Sequence, residues 1–193
     1  MGAGFGRISL LTMGVVLMFC ASLAFASSDT YPEHEVKAAF LYNFMKFTDW
    51  PEEKTKDTNN PMTILVIGDY PECKTFKDIQ SKSSESSSVR VRIFKSYEQI
   101  NDPNILKQSH VLFICSSEKK NIEKILDVVK DSQVLTVGED KRFLELGGIV
   151  NFVKNEEKIR FEVNIPAATK ANLKLRSKLL KLAKRVITED TES

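Results

Sequence analysis

LELGGIVNFVKNEEKIRFEVNIPAATKANLKLRSKLLKLAKRV, residues 144–186, is the stretch whose reading decides the fold. Residues 148–153 form one apolar run. In Lys158–Asn164, Ile159, Phe161 and Val163 alternate with Lys158, Arg160, Glu162 and Asn164. A period of two marks a half-buried strand with one apolar and one polar face. The polar residues 154–157 between the runs supply a turn, so the two strands form a hairpin. Asn164-Ile165-Pro166 then opens a helix, with the proline in the first turn, where its missing N–H costs nothing. Ala168, Leu173, Leu175, Leu179, Leu180, Leu182, Ala183 and Val186 predict one apolar stripe running to residue 186. Seven Lys or Arg residues fall on the other face. The segment packs and presents a surface; it holds no nucleophile, base and orienting group together.

Upstream, apolar strand-like runs alternate with helical ones. Residues 62–67, 89–94, 110–115 and 134–137 read as strands. Residues 72–79, 97–106 (in pieces), 118–129 and 140–146 read as helices, with Ser116-Ser117-Glu118 as an N-cap signal. This alternation predicts an α/β fold: a mostly parallel sheet with helices on both faces, finished by the antiparallel hairpin as an edge and the amphipathic helix. Before the first strand, Val36, Phe40, Phe44 and Phe47 recur at helical spacing with Leu41 and Tyr42 beside them. Trp50-Pro51 stops that helix, because a residue preceding proline avoids helical angles. Trp50, the only tryptophan, reads as a core plug. Residues 52–60 and the Ser-rich 81–88 read as loops.

The first 26 residues read differently. One early cation, Arg7, precedes an apolar run from residue 8 to 25 that ends in Ala24-Phe25-Ala26, a small-x-small cleavage signature. This predicts a secretory signal peptide, residues 1–26, cleaved after Ala26, and one mature α/β domain, residues 27–193, exported to an oxidising compartment. The formal charge of +2 gives no argument for nucleic acid. Cys73 and Cys115 stay in the mature chain. An even pair in an oxidising compartment favours a disulfide over two buried free thiols. Each lies at or just after a strand's C-terminal end, so a parallel sheet would put both on one rim.

Nothing in the residues points to an enzyme, a metal or a cofactor. His34 and His110 are far apart, no Cys/His metal spacing exists, and Gly68-x-x-Pro lacks a phosphate-loop lysine. His110, opening a buried strand, reads as a satisfied core histidine. Asp69 and Glu139 follow strand ends on the rim where open parallel sheets hold ligands, which makes them the candidate small-ligand residues. Arg160, Glu162, Asn164, Lys174, Lys178 and Lys181 are the candidate partner surface.

The runs EVKAAFLYNFMKFTDWP, SHVLFICSSE, VLTVGEDKRFLELGGIVNFV and RFEVNIPAATKANLKLRSKLLKLAK together resemble the YfiR/HmsC-type periplasmic repressors, over about residues 33–184. The resemblance implies a repressor that binds the periplasmic sensor domain of an inner-membrane diguanylate cyclase, holding down cyclic di-GMP and biofilm formation. It also implies a homodimer, an outer-membrane lipoprotein as a second partner, and stability tuned by disulfide state. The chain departs from the pattern in three places. It has no second cysteine pair near Gly147-Gly148, Arg176-Ser177 stands for a serine pair, and Gly68-Asp69-Tyr70-Pro71 replaces a more usual Asp-Pro-Phe turn. The rival reading is a periplasmic module that binds a small ligand at the sheet rim.

Overall fold

The strand runs assemble into one seven-stranded sheet carrying helices on both faces. The computed structural model describes residues 31–55, 61–81, 89–156 and 158–189. In chain order the elements are α1 (Glu33–Lys46), β1 (Thr48–Asp49), α2 (Glu52–Thr55), β2 (Met62–Ile67), α3 (Lys74–Ser81), β3 (Val89–Phe94), α4 (Asn104–Gln108), β4 (Val111–Ile114), α5 (Ile122–Val129) and β5 (Leu135–Gly138). There follow β6 (Val150–Asn155), β7 (Lys158–Asn164), α6 (Ile165–Lys170), β8 (Lys174–Leu175), α7 (Ser177–Leu180) and β9 (Arg185–Ile187). All belong to one compact unit, Pro32–Ser193.

The strand order is β3-β2-β4-β5-β6-β7-β9. Strands β2 to β6 are mutually parallel, β7 is antiparallel to β6, and β9 runs parallel to β7. β3 and β4 lie on opposite sides of β2, so the chain reverses its winding there, at the β2–β4 boundary. β2, β4 and β5 are buried on both faces, which is why they read as continuous apolar runs. On one face α1, α3 and α6 cover Ile64, Val66, Phe113, Val150, Phe161 and Val163; on the other, α4 and α5 cover Leu65, Ile67, Leu112 and Ile114.

α1 shows how pattern becomes packing. Its Leu41, Phe44 and Met45 are buried, and the Phe44 ring meets Phe152 at 5.7 Å and Phe161 at 4.8 Å between centroids. The first helix is thereby fixed to the last two long strands. Trp50 is half-buried with its indole N–H donating to Met45 O at 3.1 Å and its ring edge-on to His110 at 5.3 Å.

Four expectations are corrected. The helix after β7 begins as predicted: Asn164 caps it, its Oδ1 accepting from Ala167 N at 2.9 Å, with Pro166 in the first turn. It ends at Lys170 instead of running to residue 186. Asn172 takes φ 56°, its N–H donates to Thr169 O, and Leu173 N–H donates to Ala168 O. That is the paired-bond helix stop in which a left-handed residue turns the chain out. The remaining stripe is divided among β8, α7, β9 and the turns between them: Leu175 and Leu179 are buried, Val186 is half-buried and Leu182 is exposed. The hairpin strand β7 is also not the sheet edge, because β9 covers it from Glu162 to Asn164.

The other two corrections concern 116–121 and 140–146. Ser116–Glu118 form a single 3-10 turn, and α5 starts only at Ile122. Ser117 and Glu118 are engaged elsewhere: Ser117 Oγ accepts from Asp69 N, and Glu118, buried, accepts from Tyr97 N and Asn121 Nδ2. Residues 141–147 are turns, not helix. There Phe143 drops into the core between Gly138 and Gly148; a Cβ on Gly148 would come within 2.1 Å of its ring. The expected loop 81–88 lies outside the described residues except Ser81, which ends α3, and so do residues 56–60 of the loop 52–60, whose start is α2.

Candidate functional site

The reversal of winding at β2–β4 brings the C-terminal ends of those strands, and of β5, to one rim. In open parallel sheets a crevice at such a point receives ligands. Gly68 (φ +118°) lets the chain leave β2 here; a Cβ would lie 2.5 Å from Ser117 Oγ and 2.6 Å from Cys115 Cβ. Asp69 N–H donates to Ser117 Oγ at 2.9 Å. Glu139, just past β5, accepts the Ser116 N–H at 2.7 Å. Both predicted ligand residues therefore stand on the rim.

The rim is filled by the chain itself. Lys37 reaches down from α1 to Glu139 and to Glu33, the latter at 2.6 Å, with both the Lys37 and Glu139 side chains largely buried. Burial works against the Lys37 charge, yet the hydrogen bonds to Glu139 and Glu33 outweigh it and hold its pKa above the ordinary lysine value. Glu35 caps α3 from outside: Lys74 N donates to Oε1 at 2.8 Å, Thr75 N to Oε2 at 2.7 Å, and Cys73 Sγ to Oε2 at 3.1 Å. Burial would raise its pKa, but these donors bring it down to about 2. Tyr70 donates its hydroxyl to His34 O, and its ring packs on Phe76 and edge-on to Phe113. The residues that close the rim, Glu33, Glu35 and Lys37, were missed in the sequence. The signal was the i, i+4 spacing of Glu33 and Lys37 on one helix face.

Cys73 and Cys115 are both buried in the core cluster beneath α1, as free thiols. Burial pushes Cys73 up to about 11, helped by the Glu35 carboxylate, and Cys115 up to about 12. Neither is an activated thiolate.

The six candidate partner residues do not form one surface. Asn164 is 8% exposed and serves the fold: beyond its cap, its Nδ2 donates to Leu144 O at 3.2 Å. This is a correction, since an interior cap cannot present itself to a partner. Arg160 and Glu162 point away from the α1 side of β7, the face opposite buried Phe161 and Val163. Glu162 is held by Arg185 at 2.7 Å. Lys174 and Lys178 lie on the α1 side, Lys174 paired in register with Asp49 and Lys178 over the Phe47 ring at 5.0 Å. Lys181 is exposed in the turn after α7.

Two open clefts, of about 660 and 680 Å³, lie elsewhere; neither is lined by Asp69 or Glu139. The first runs between α5, α6 and β9, the second between Trp50 and the α6–β8 segment. Among the described residues no cluster of His, Cys, Asp and Glu could hold a metal ion, and no helix is long and apolar enough to cross a membrane.

The sequence model of the YfiR/HmsC-like family matches residues 34–184, and the chain belongs to that family. No curated protein matches the sequence. Among solved structures, the chain is similar to an ABC domain in complex with L-Trp from Streptococcus pneumonia, with TM-score 0.46 and 12% identity over 67% of this chain and 56% of that one. It is also similar to a conserved domain protein from Vibrio cholerae, with TM-score 0.49 and 11% identity over 80% of this chain and 60% of the other. Both are distant likenesses, and the chain spans less than two thirds of the length of each.

Proposed function

We propose that this YfiR/HmsC-like chain is a periplasmic negative regulator that binds the periplasmic sensor domain of an inner-membrane diguanylate cyclase and holds it inactive. The observation that carries the reading is the family match across residues 34–184. The closed rim supports it against the rival. A small-ligand module needs an open crevice at the reversal point, and here Lys37, Glu139 and Glu35 fill it. The chain enters the periplasm through a signal peptide, residues 1–26, works as a homodimer, and is sequestered by an outer-membrane lipoprotein when repression is lifted. Deleting the chain in its host should raise cyclic di-GMP, and restoring it should reverse the rise. No change with the cyclase expressed would remove the regulatory reading.

Of the candidate residues, Glu162 tests the partner surface most directly. Glu162→Lys places a cation against Arg185 and inverts the exposed polar face of β7. Repression should be lost while thermal melting shows a folded chain. A folded variant that represses normally removes Glu162 from the surface.

In the oxidising periplasm Cys73 and Cys115 pair. Their shared place beneath α1 supports this, and a bridge closing a loop of roughly 40 residues would stabilise by about 4 kcal/mol in the chain-entropy account, less any strain. Pairing removes the Cys73 thiol hydrogen now given to Glu35. The mass of the exported chain without reductant should fall two protons short of the reduced form and start at Ser27; a full-mass chain with two titratable thiols would overturn the pairing.

A further inference from the structure

From Val163 to Thr188 the chain has no Asp or Glu and seven Lys or Arg. The fold sorts these cations into two kinds. Arg176 is held by Asp49 and Arg185 by Glu162, both at 2.7 Å. Lys181 and Lys184 have no carboxylate partner among the described residues. They flank Leu182, which is 56% exposed and is one of only three large apolar side chains so open among the described residues. Leu182 N–H donates to Leu179 O and Lys184 N–H to Phe161 O, so the turn is fixed at both ends and its apolar side chain is held outward. The Lys184–Phe161 bond also sets the turn beside Arg160, an exposed cation remote in sequence and likewise without a carboxylate partner among the described residues.

The chemistry of this tip is specific. Planar, two-pronged arginine contacts suit discrete carboxylates; Arg176 and Arg185 are already committed in that way inside the chain, and only Arg160, beside the turn, is not. What the turn itself leaves open is lysine, a compact charge on a flexible stem, suited to a diffuse layer of phosphates. One outward leucine between two such lysines on an exposed turn matches the boundary between headgroups and acyl chains. We propose that the 181–184 turn, with Arg160 beside it, is a membrane-contact tip that docks on a bilayer containing anionic phospholipid. The proposal needs only the lipid and does not rest on the regulatory reading.

The test uses the chain recovered from the periplasm, floated with vesicles of phosphatidylethanolamine and phosphatidylglycerol, and with vesicles of phosphatidylcholine. Binding should occur to the first and not the second, and should weaken as salt rises. The double variant Lys181→Glu/Lys184→Glu should lose about tenfold or more in affinity, since each cation near such a surface counts for several-fold. Leu182→Ser should keep the salt-sensitive part of binding and lose the salt-resistant part. Both variants change exposed side chains, and circular dichroism checks that they fold. Equal binding to neutral vesicles, no binding at all, or full binding by the double variant would overturn the tip. So would competition by glycerol phosphate at the concentration of vesicle phosphate, which would mean a free-anion site. A double variant that binds lipid normally yet no longer binds the cyclase domain would make the tip a protein contact instead.

Discussion

His110 shows how one side chain's place sets its chemistry. It opens β4 buried beside Trp50, and its Nδ1 accepts the Thr63 N–H at 3.1 Å, which fixes the neutral ring. Burial, with the nearby Lys54 charge, brings its pKa from 6.5 down to about 4. Between those values the unfolded chain holds a proton that the folded chain refuses. The contribution is therefore fully present above pH 6.5 and is lost as pH falls toward 4. His110→Asn, which keeps an acceptor for Thr63 but cannot titrate, should remove that slope, on the order of 2–3 kcal/mol across the window. Urea midpoints measured from pH 7 to 4 would show it; a wild-type slope in the variant would assign the loss to other groups. This histidine was legible in the sequence because a strand start inside an apolar run has only one kind of neighbourhood. Lys37 was not, because a lysine on a polar helix face looks the same whether it meets water or a carboxylate 102 residues away.

At the scale of elements, the strands and α1 were legible because each keeps one pattern over its whole length: a continuous apolar run in β2, β4 and β5, alternation in β3 and β7, and helical spacing in α1. The last segment was not, and the reason is physical. Its apolar residues keep helical spacing from Ala168 to Val186, yet they are divided among α6, β8, α7, β9 and the turns between them, and Leu182 is left exposed. Spacing records that residues are buried, not that one element buries them. The local signal lay in Asn172, at φ 56°, the residue type other than glycine that best tolerates the left-handed position. Asn172→Gly should change stability by only a few tenths of a kcal/mol, whereas Asn172→Val should cost about 1–2 kcal/mol, the usual penalty for a side chain forced into that region. Thermal melts of the two variants decide it. Equal losses would show that Asn172 acts through its side chain and not its backbone angle. The 140–146 turn was misread for a related reason: Phe143 fits a helical stripe, but the two glycines it packs between make room for a ring, not for a helix axis.

Across the whole molecule, the parallel sheet and the hairpin followed from alternation, while the order of strands did not. Alternation says that crossovers occur; it does not say that β3 and β4 leave β2 on opposite sides, nor that three residues near the C-terminus add β9 beyond the hairpin. That order puts the two faces of the sheet under different parts of the chain. One face is closed by α1, packed through Phe44 on Phe152 and Phe161; the other is closed by α4, α5 and Phe143. Phe44 and Phe143 are each essentially fully buried, so replacing either with Ala should cost roughly 3–5 kcal/mol. The two substitutions differ in what they test. Because the faces share β2 and β4, whose side chains alternate between the two clusters, loss on one face should weaken the other, and both variants should unfold in one transition. The urea midpoint should then fall with the slope unchanged, since the same surface is exposed on unfolding. If Phe44→Ala lowers the slope or adds an early transition while Phe143→Ala does not, α1 is a separately opening unit. The rim contacts of Lys37, Glu35 and Tyr70 would then come apart with it, and the crevice at the reversal point would open before the sheet unfolds.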